Sequence, residues 1–165
     1  GCNFSIRKSI LIKARGFNPD SMPTSKKFYR GNGETAIAEF IINKKLKSMF
    51  NSEATIYHRV SKERMSLEYM KERGYREAFS VSFSDIKNNK LIFKTRLRQI
   101  YCNKSLSKMK NFIKRFFYKK FSNQLNIALD YYKDGYRKGL SDYYKEYTIN
   151  TSLRRWVDQD DYLSS

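Results

Sequence analysis

Lys94, Arg96 and Arg98 recur at every second position, and Ser80, Ser82 and Ser84 do the same a few residues earlier. Hydroxyl and guanidinium groups are the usual partners of phosphate oxygens. On an extended strand, side chains two positions apart share a face and lie about 6.5–7 Å from one another, close to the phosphate spacing of a nucleic-acid strand. Further along, Lys104, Lys108, Arg115 and Lys119 project from one side of a helical pattern. Its other side is apolar, from Leu106 and Met109 through Phe112 and Phe116 to Phe121. Lys120 falls inside the apolar arc and must snorkel. Tyr118 lies on the polar side, where an exposed ring would stack on an unpaired base. A merely solvated helix face mixes Glu with Lys, yet no acid occurs between Asp85 and Asp130. Lys94, Arg96, Arg98, Lys104, Lys108, Arg115, Lys119 and Tyr118 are therefore the candidate nucleic-acid-binding set, expected to form one continuous basic surface.

A second chemistry is suggested by Gly1-Cys2-Asn3-Phe4-Ser5. After an initiator Met these residues match the pattern for N-myristoylation at Gly1, and Cys2 is placed for a second acyl chain. One chain alone anchors only marginally, and a basic patch or a second chain supplies the rest. The combination resembles acylated peripheral proteins, including the matrix proteins of enveloped viruses. That resemblance covers five residues and the overall charge. It implies an anionic membrane surface as the alternative partner.

Enzymatic signatures are missing. There is no phosphate-binding G-x-x-x-x-G-K-[ST] loop, no G-x-G-x-x-G and no G-x-S-x-G. Gly31-Asn32-Gly33 precedes a predicted helix, where an anion could sit, but three residues do not define a site. Asp85-Ile86-Lys87 has the spacing of a nuclease D/E-x-K tail, and its earlier carboxylate would have to be Glu34, Glu39 or Glu77. Cys2, Cys102 and the single histidine, His58, cannot supply a four-ligand zinc site. The expectation is a non-catalytic protein without metal or cofactor. Two cysteines make no disulfide framework, and no secretory signal pattern opens the sequence. A reducing intracellular compartment or a virion follows, or the membrane periphery if the chain is acylated.

The charge that carries these readings is unevenly placed. The chain has 34 Lys and Arg against 16 Asp and Glu, a net charge of +18. Residues 1–33 contribute +6, residues 34–77 +2, residues 78–125 +11 and residues 126–165 −1. Such an excess speaks to partners rather than to fold. Hydrophobic residues at 40% argue for a folded chain, and 165 residues suit one domain, 1–165.

The elements that would hold the basic set are an α+β arrangement. Loose alternation over Ser5–Arg15 predicts an N-terminal strand, followed by a long loop that completes 1–33. Helices are predicted over Glu34–Phe50 and Ser61–Arg73, the second capped by Ser61 and ended by Gly74. Strict alternation in Phe79–Ser84, resumed by Leu91, Phe93 and Leu97, predicts a β-hairpin near 78–101 with an Asn-Asn turn. A long helical segment follows from about Ser105 to Tyr147. Its stripe of Leu125, Leu129, Tyr132, Tyr136, Leu140, Tyr143 and Tyr147 would pack within the domain or against a helical protein partner. Residues 150–165 read as an acidic, loose tail. In sum, a small antiparallel sheet packs with about four helices. No repeat with a period of 20–50 residues is apparent.

Overall fold

In the computed structural model the chain is helical, and the residues described are 3–20, 22–88 and 123–159, with Thr95, Arg98 and Tyr162. Among them are five α-helices: α1 (Lys8–Lys13), α2 (Glu34–Asn43), α3 (Leu67–Asn88), α4 (Asn123–Ile149) and α5 (Thr151–Asp158). Short 3-10 turns occupy Thr24–Lys26 and Lys62–Met65. No strand occurs among the described residues, so the expected antiparallel sheet is corrected: the regular structure of the described residues is helical.

The cause of the error can be read from spacing. Ile6, Ile10 and Ala14 alternate loosely with charges, but they are also four apart, one helical face. In the structure Ile10, Leu11 and Ala14 are partly buried while Ile12 is exposed, the helical choice. Phe79, Phe83 and Ile86 are likewise four and three apart, and all three are buried in α3. A six-residue window fits both templates. Only the full 22-residue length of α3 separates them. Thr95 and Arg98, the described members of the expected second strand, have helical backbone.

Helix boundaries follow the local chemistry. The expected cap at Ser61 is replaced by Ser66, whose Oγ accepts from the Tyr69 amide at 3.1 Å. α2 is shorter than Glu34–Phe50. It stops at Asn43, with Lys44 as its C-cap and Lys45 at φ 52°. The Leu46 amide donates to the Ile41 carbonyl and the Lys45 amide to that of Ile42, a Schellman closure. Such a position costs an L residue about 1–2 kcal/mol and suits glycine. Lys45→Gly is therefore expected to stabilise the protein by about 0.5–1 kcal/mol, after glycine's greater freedom when unfolded is subtracted. Thermal unfolding measures it.

α3 and α4 form the centre. Lys71 pairs with Asp134 at 3.0 Å, Tyr75 bonds Asp142, and Phe79 packs 5.7 Å from Tyr143. Partner numbers rise together, so the two helices run parallel. Their crossing is very close. A methyl group on Gly74 would overlap the Tyr132 carbonyl oxygen, and one on Gly135 the Lys71 carbonyl oxygen. One on Gly139 would meet the Tyr75 carbonyl. Gly74, expected just past a helix end, instead lies inside α3 for this reason.

The contacts are reciprocal because the two helices carry one motif. Gly74-Tyr75-Arg76-Glu77-Ala78-Phe79-Ser80 matches Gly135-Tyr136-Arg137-Lys138-Gly139-Leu140-Ser141, 61 residues later. Gly74 meets position 132 and Gly135 meets position 71, the same offset in both directions. The pair is thus approximately two-fold symmetric, like a homodimer within one chain. Its period lies beyond the 20–50 residues typical of solenoid repeats.

The core gathers at the C-terminal half of this pair: Ala78, Phe79, Phe83 and Ile86 from α3, and Leu140 and Tyr143 from α4. Leu153 and Val157 of α5 complete it. Residues 151–158 thus form a core helix within the stretch read as a tail. Asn150 caps it by accepting from the Leu153 amide at 3.0 Å. Trp156 packs 5.5 Å from Phe83, and Tyr162 lies on both rings. The C-terminal half of the stripe is used internally: Leu140 and Tyr143 are fully buried, and Tyr136 and Tyr147 pack on the core, whereas Leu125 and Leu129 are exposed.

Candidate polyanion-binding surface

Of the predicted nucleic-acid set, Arg98 is described, and it is exposed. Lys94, Arg96, Lys104, Lys108, Arg115, Tyr118 and Lys119 lie outside the described residues, as do Gly1 and Cys2 of the acylation pattern.

The serine row has a different role from the expected one. Ser80 Oγ accepts from Arg30 Nε at 3.1 Å, and Ser84 Oγ accepts from Asn32 Nδ2 at 2.9 Å. Ser82 is fully buried. On a helix Ser80 and Ser84 are four apart and share a face, and that face receives the loop 17–33. The Ser80 and Ser84 hydroxyls are spent inside the molecule. Phosphate contacts from this region would fall to Lys and Arg.

The same loop fills the anion position at Gly31-Asn32-Gly33. Arg30 pairs with Asp20 at 3.0 Å, and the Asp20 carboxylate lies beside Gly33, next to the N-terminus of α2. An internal carboxylate therefore stands close to the end of the helix where an external anion would be drawn. Asn18 donates to Asn32 at 2.7 Å, and the Gly31 amide bonds the Pro19 carbonyl. Phe28 then reaches Phe79 at 5.0 Å. Proline and glycine punctuation marked this segment as a loop. Its docking residues have no periodicity and could not be picked out in sequence.

One polar cluster stands at the loop's contact with the helix pair. The Tyr75 hydroxyl donates to Asp142 Oδ2 at 3.1 Å and accepts from Lys27 Nζ at 3.5 Å. Lys27 and Lys138 also lie 5.6 Å and 5.9 Å from the Tyr75 ring centre. Partial burial and the Asp142 charge push the Tyr75 phenol up to about 12. Tyr143 and Tyr132 are raised too, first by burial. A raised folded value means that the neutral phenol supports the fold. Its contribution is complete below the ordinary value of 10.0 and is lost as pH climbs through about 12. Stability is thus expected to hold up to about pH 10 and fall above it. In Tyr75→Phe that fall should be shallower in alkaline denaturant titrations.

The D/E-x-K spacing of Asp85-Ile86-Lys87 lies at the C-terminal end of α3. Asp85 is buried in α3, and Lys87 donates to the Gln159 carbonyl. Glu34 is on α2 and exposed, and His58 is exposed in the 51–60 segment. Among the described residues no three His, Cys, Asp or Glu side chains gather to hold a metal ion. No described helix is long and apolar enough to cross a membrane.

A further surface went unnoticed in sequence. Residues 44–65 have no α-helix beyond the cap of α2, and their apolar side chains stand in solvent: Met49 is 85%, Phe50 93% and Tyr57 99% exposed. Lys44, Lys45, Lys47, Arg59, Lys62 and Arg64 are interspersed with them and exposed. The signal was available as apolar residues interspersed with basic ones, but the helical patterns predicted over Glu34–Phe50 and Ser61–Arg73 assigned much of this stretch to helices. Comparison with protein-family models, with curated proteins and with solved structures finds no match for this chain.

Proposed function

We propose that the chain is a non-catalytic nucleic-acid-binding protein, with RNA its preferred polyanion, acting as a structural component of a ribonucleoprotein particle or virion. The observation that carries the reading is the sign of the charge in residues 78–125: twelve Lys and Arg against one acid. That acid, Asp85, is buried, 9% exposed, and the stretch keeps a net charge of +11 with it counted. Arg98, the described member of the proposed set, is open to solvent. Concentrated single-sign charge attracts a phosphate backbone and releases its counterions on binding.

The affinity for single-stranded RNA should therefore fall steeply with salt. Five or six phosphate contacts give a slope of about −4 in a log–log plot. A slope near zero, or no complex at about 50 mM salt, rejects the reading. Arg96→Glu, Arg98→Glu, Arg115→Glu and Lys119→Glu together should weaken RNA binding by roughly 100-fold or more at constant melting temperature. Unchanged affinity in that variant would place the binding surface elsewhere.

A further inference from the structure

We propose that residues 3–17 and 44–65 form a face that docks on an anionic lipid surface. The proposal uses residues other than those of the RNA reading and stands independently of it.

Two segments distant in sequence are brought together. The Asn3 side-chain amide donates to the Ala54 carbonyl, which ties the residues leading into α1 to the middle of 44–65. Ala54 belongs to a turn: its amide bonds the Asn51 carbonyl, and Thr55 Oγ1 bonds that of Ser52. Met49 and Phe50 enter this turn, and Ile56 and Tyr57 leave it. All four are exposed, and Ile12 of α1 is 64% exposed. Large apolar side chains concentrated in solvent mark an interaction surface.

Charge identifies the partner. Residues 3–15 carry four basic residues and no acid, and residues 44–65 carry six basic residues and two acids. The partner must be negative over a broad area and also accept apolar side chains. An anionic bilayer does both: its headgroups attract Lys and Arg, and its acyl boundary takes up apolar tips. The apolar members are mixed, with thioether, aliphatic and aromatic side chains among Met49, Ile56, Phe50 and Tyr57. Base stacking would call for aromatic planes, whereas an acyl boundary accepts any apolar group.

The test uses the full chain produced without acyl groups, pelleted with vesicles. Vesicles of equal parts phosphatidylserine and phosphatidylcholine should bind it, and pure phosphatidylcholine should not. Met49→Ser, Phe50→Ser and Tyr57→Ser together should cut binding by about tenfold or more, because each removes an apolar tip. Lys47→Glu, Arg59→Glu and Lys62→Glu together should cut it by roughly 100-fold, since each basic residue contributes several-fold near anionic lipid. All six side chains are exposed, so melting temperature should hold. A direct reading comes from Phe50→Trp, whose fluorescence should be quenched by brominated acyl chains beyond the quenching of Trp156 in the parent. Equal pelleting of parent and variants, or equal binding to both vesicle types, overturns the proposal. So does an RNA affinity lost in these variants with no vesicle binding in the parent, which would assign the face to nucleic acid. A vesicle result as expected, beside a flat salt dependence for RNA, would sink the nucleic-acid reading and leave this one standing.

Discussion

Gly135→Ala is expected to destabilise the protein, lowering its melting temperature by roughly 4–8 °C. Sign matters more than size here. Inside an exposed helix the same change gains about 1 kcal/mol, because alanine is the better helix former. At Gly135 the added methyl would overlap the Lys71 carbonyl oxygen of the facing helix. That atom is backbone, so no side-chain rotation relieves the overlap. Overpacking costs about 1–3 kcal/mol and sometimes more. Taking the upper end and subtracting the propensity gain leaves about 2 kcal/mol, which for a chain of this size is the stated shift. Gly74→Ala and Gly139→Ala should have the same sign, through Tyr132 and Tyr75. Calorimetry on the three variants checks it. A rise in melting temperature at Gly135 and Gly74 would mean that α3 and α4 do not approach so closely.

Phe83→Ala should cost about 3–5 kcal/mol, the usual range for deleting a buried aromatic ring. Phe83 is 1% exposed and touches both Trp156 and Tyr162. Its loss empties the place where α5 meets α3. Trp156→Ala should fall in the same range, and the two should be less than additive, with a coupling of about 0.5–1.5 kcal/mol for the ring pair. Denaturant titration of the two single variants and the double variant measures that coupling. Simple additivity, or a Trp156→Ala variant as stable as the parent, would show that residues 151–158 are not part of the core.

How much of this was legible in advance depended on window length. Glu34 at the start of α2, with Ile37, Phe40 and Ile41 turned inward, could be read from spacing because the helix is amphipathic and acidic at its first turn. The tyrosine stripe of α4 was legible because it runs for six turns without interruption. Phe79–Ser84 was misread because six residues with apolar groups at 79, 81 and 83 satisfy two periodicities. Gly74 misled for another reason. A glycine near a helical pattern usually ends it, whereas here it admits a second backbone, and that requirement comes from Tyr132, 58 positions away. The acidic count of the last segment hid Leu153, Trp156 and Val157, which are only three apolar residues but are spaced three and one apart on one face. Of the site, the basic excess was plain in the sequence. The internal use of Ser80 and Ser84 was not, because it depends on a loop whose path has no pattern.

The parallel pairing of α3 with α4 has a consequence for the order of events on the ribosome. An antiparallel hairpin can close as soon as its second helix emerges, whereas this pair must wait for a partner motif made 61 residues later. At about 5–20 residues per second, that is a delay of roughly 3–12 s. A helix forms and melts in about a microsecond, so α3 is left to sample its states, with Gly74 and Ala78 not yet covered by α4, for a period some million-fold longer. Leu153 and Val157 come later still, so the core cannot seal until nearly all of these 165 residues have been synthesised. Long-range closure of this kind also slows refolding from denaturant relative to bundles of consecutive antiparallel helices. The nascent chain therefore carries an apolar seam, shaped to fit a copy of its own motif, through the interval in which neighbouring nascent chains on the same message offer that copy.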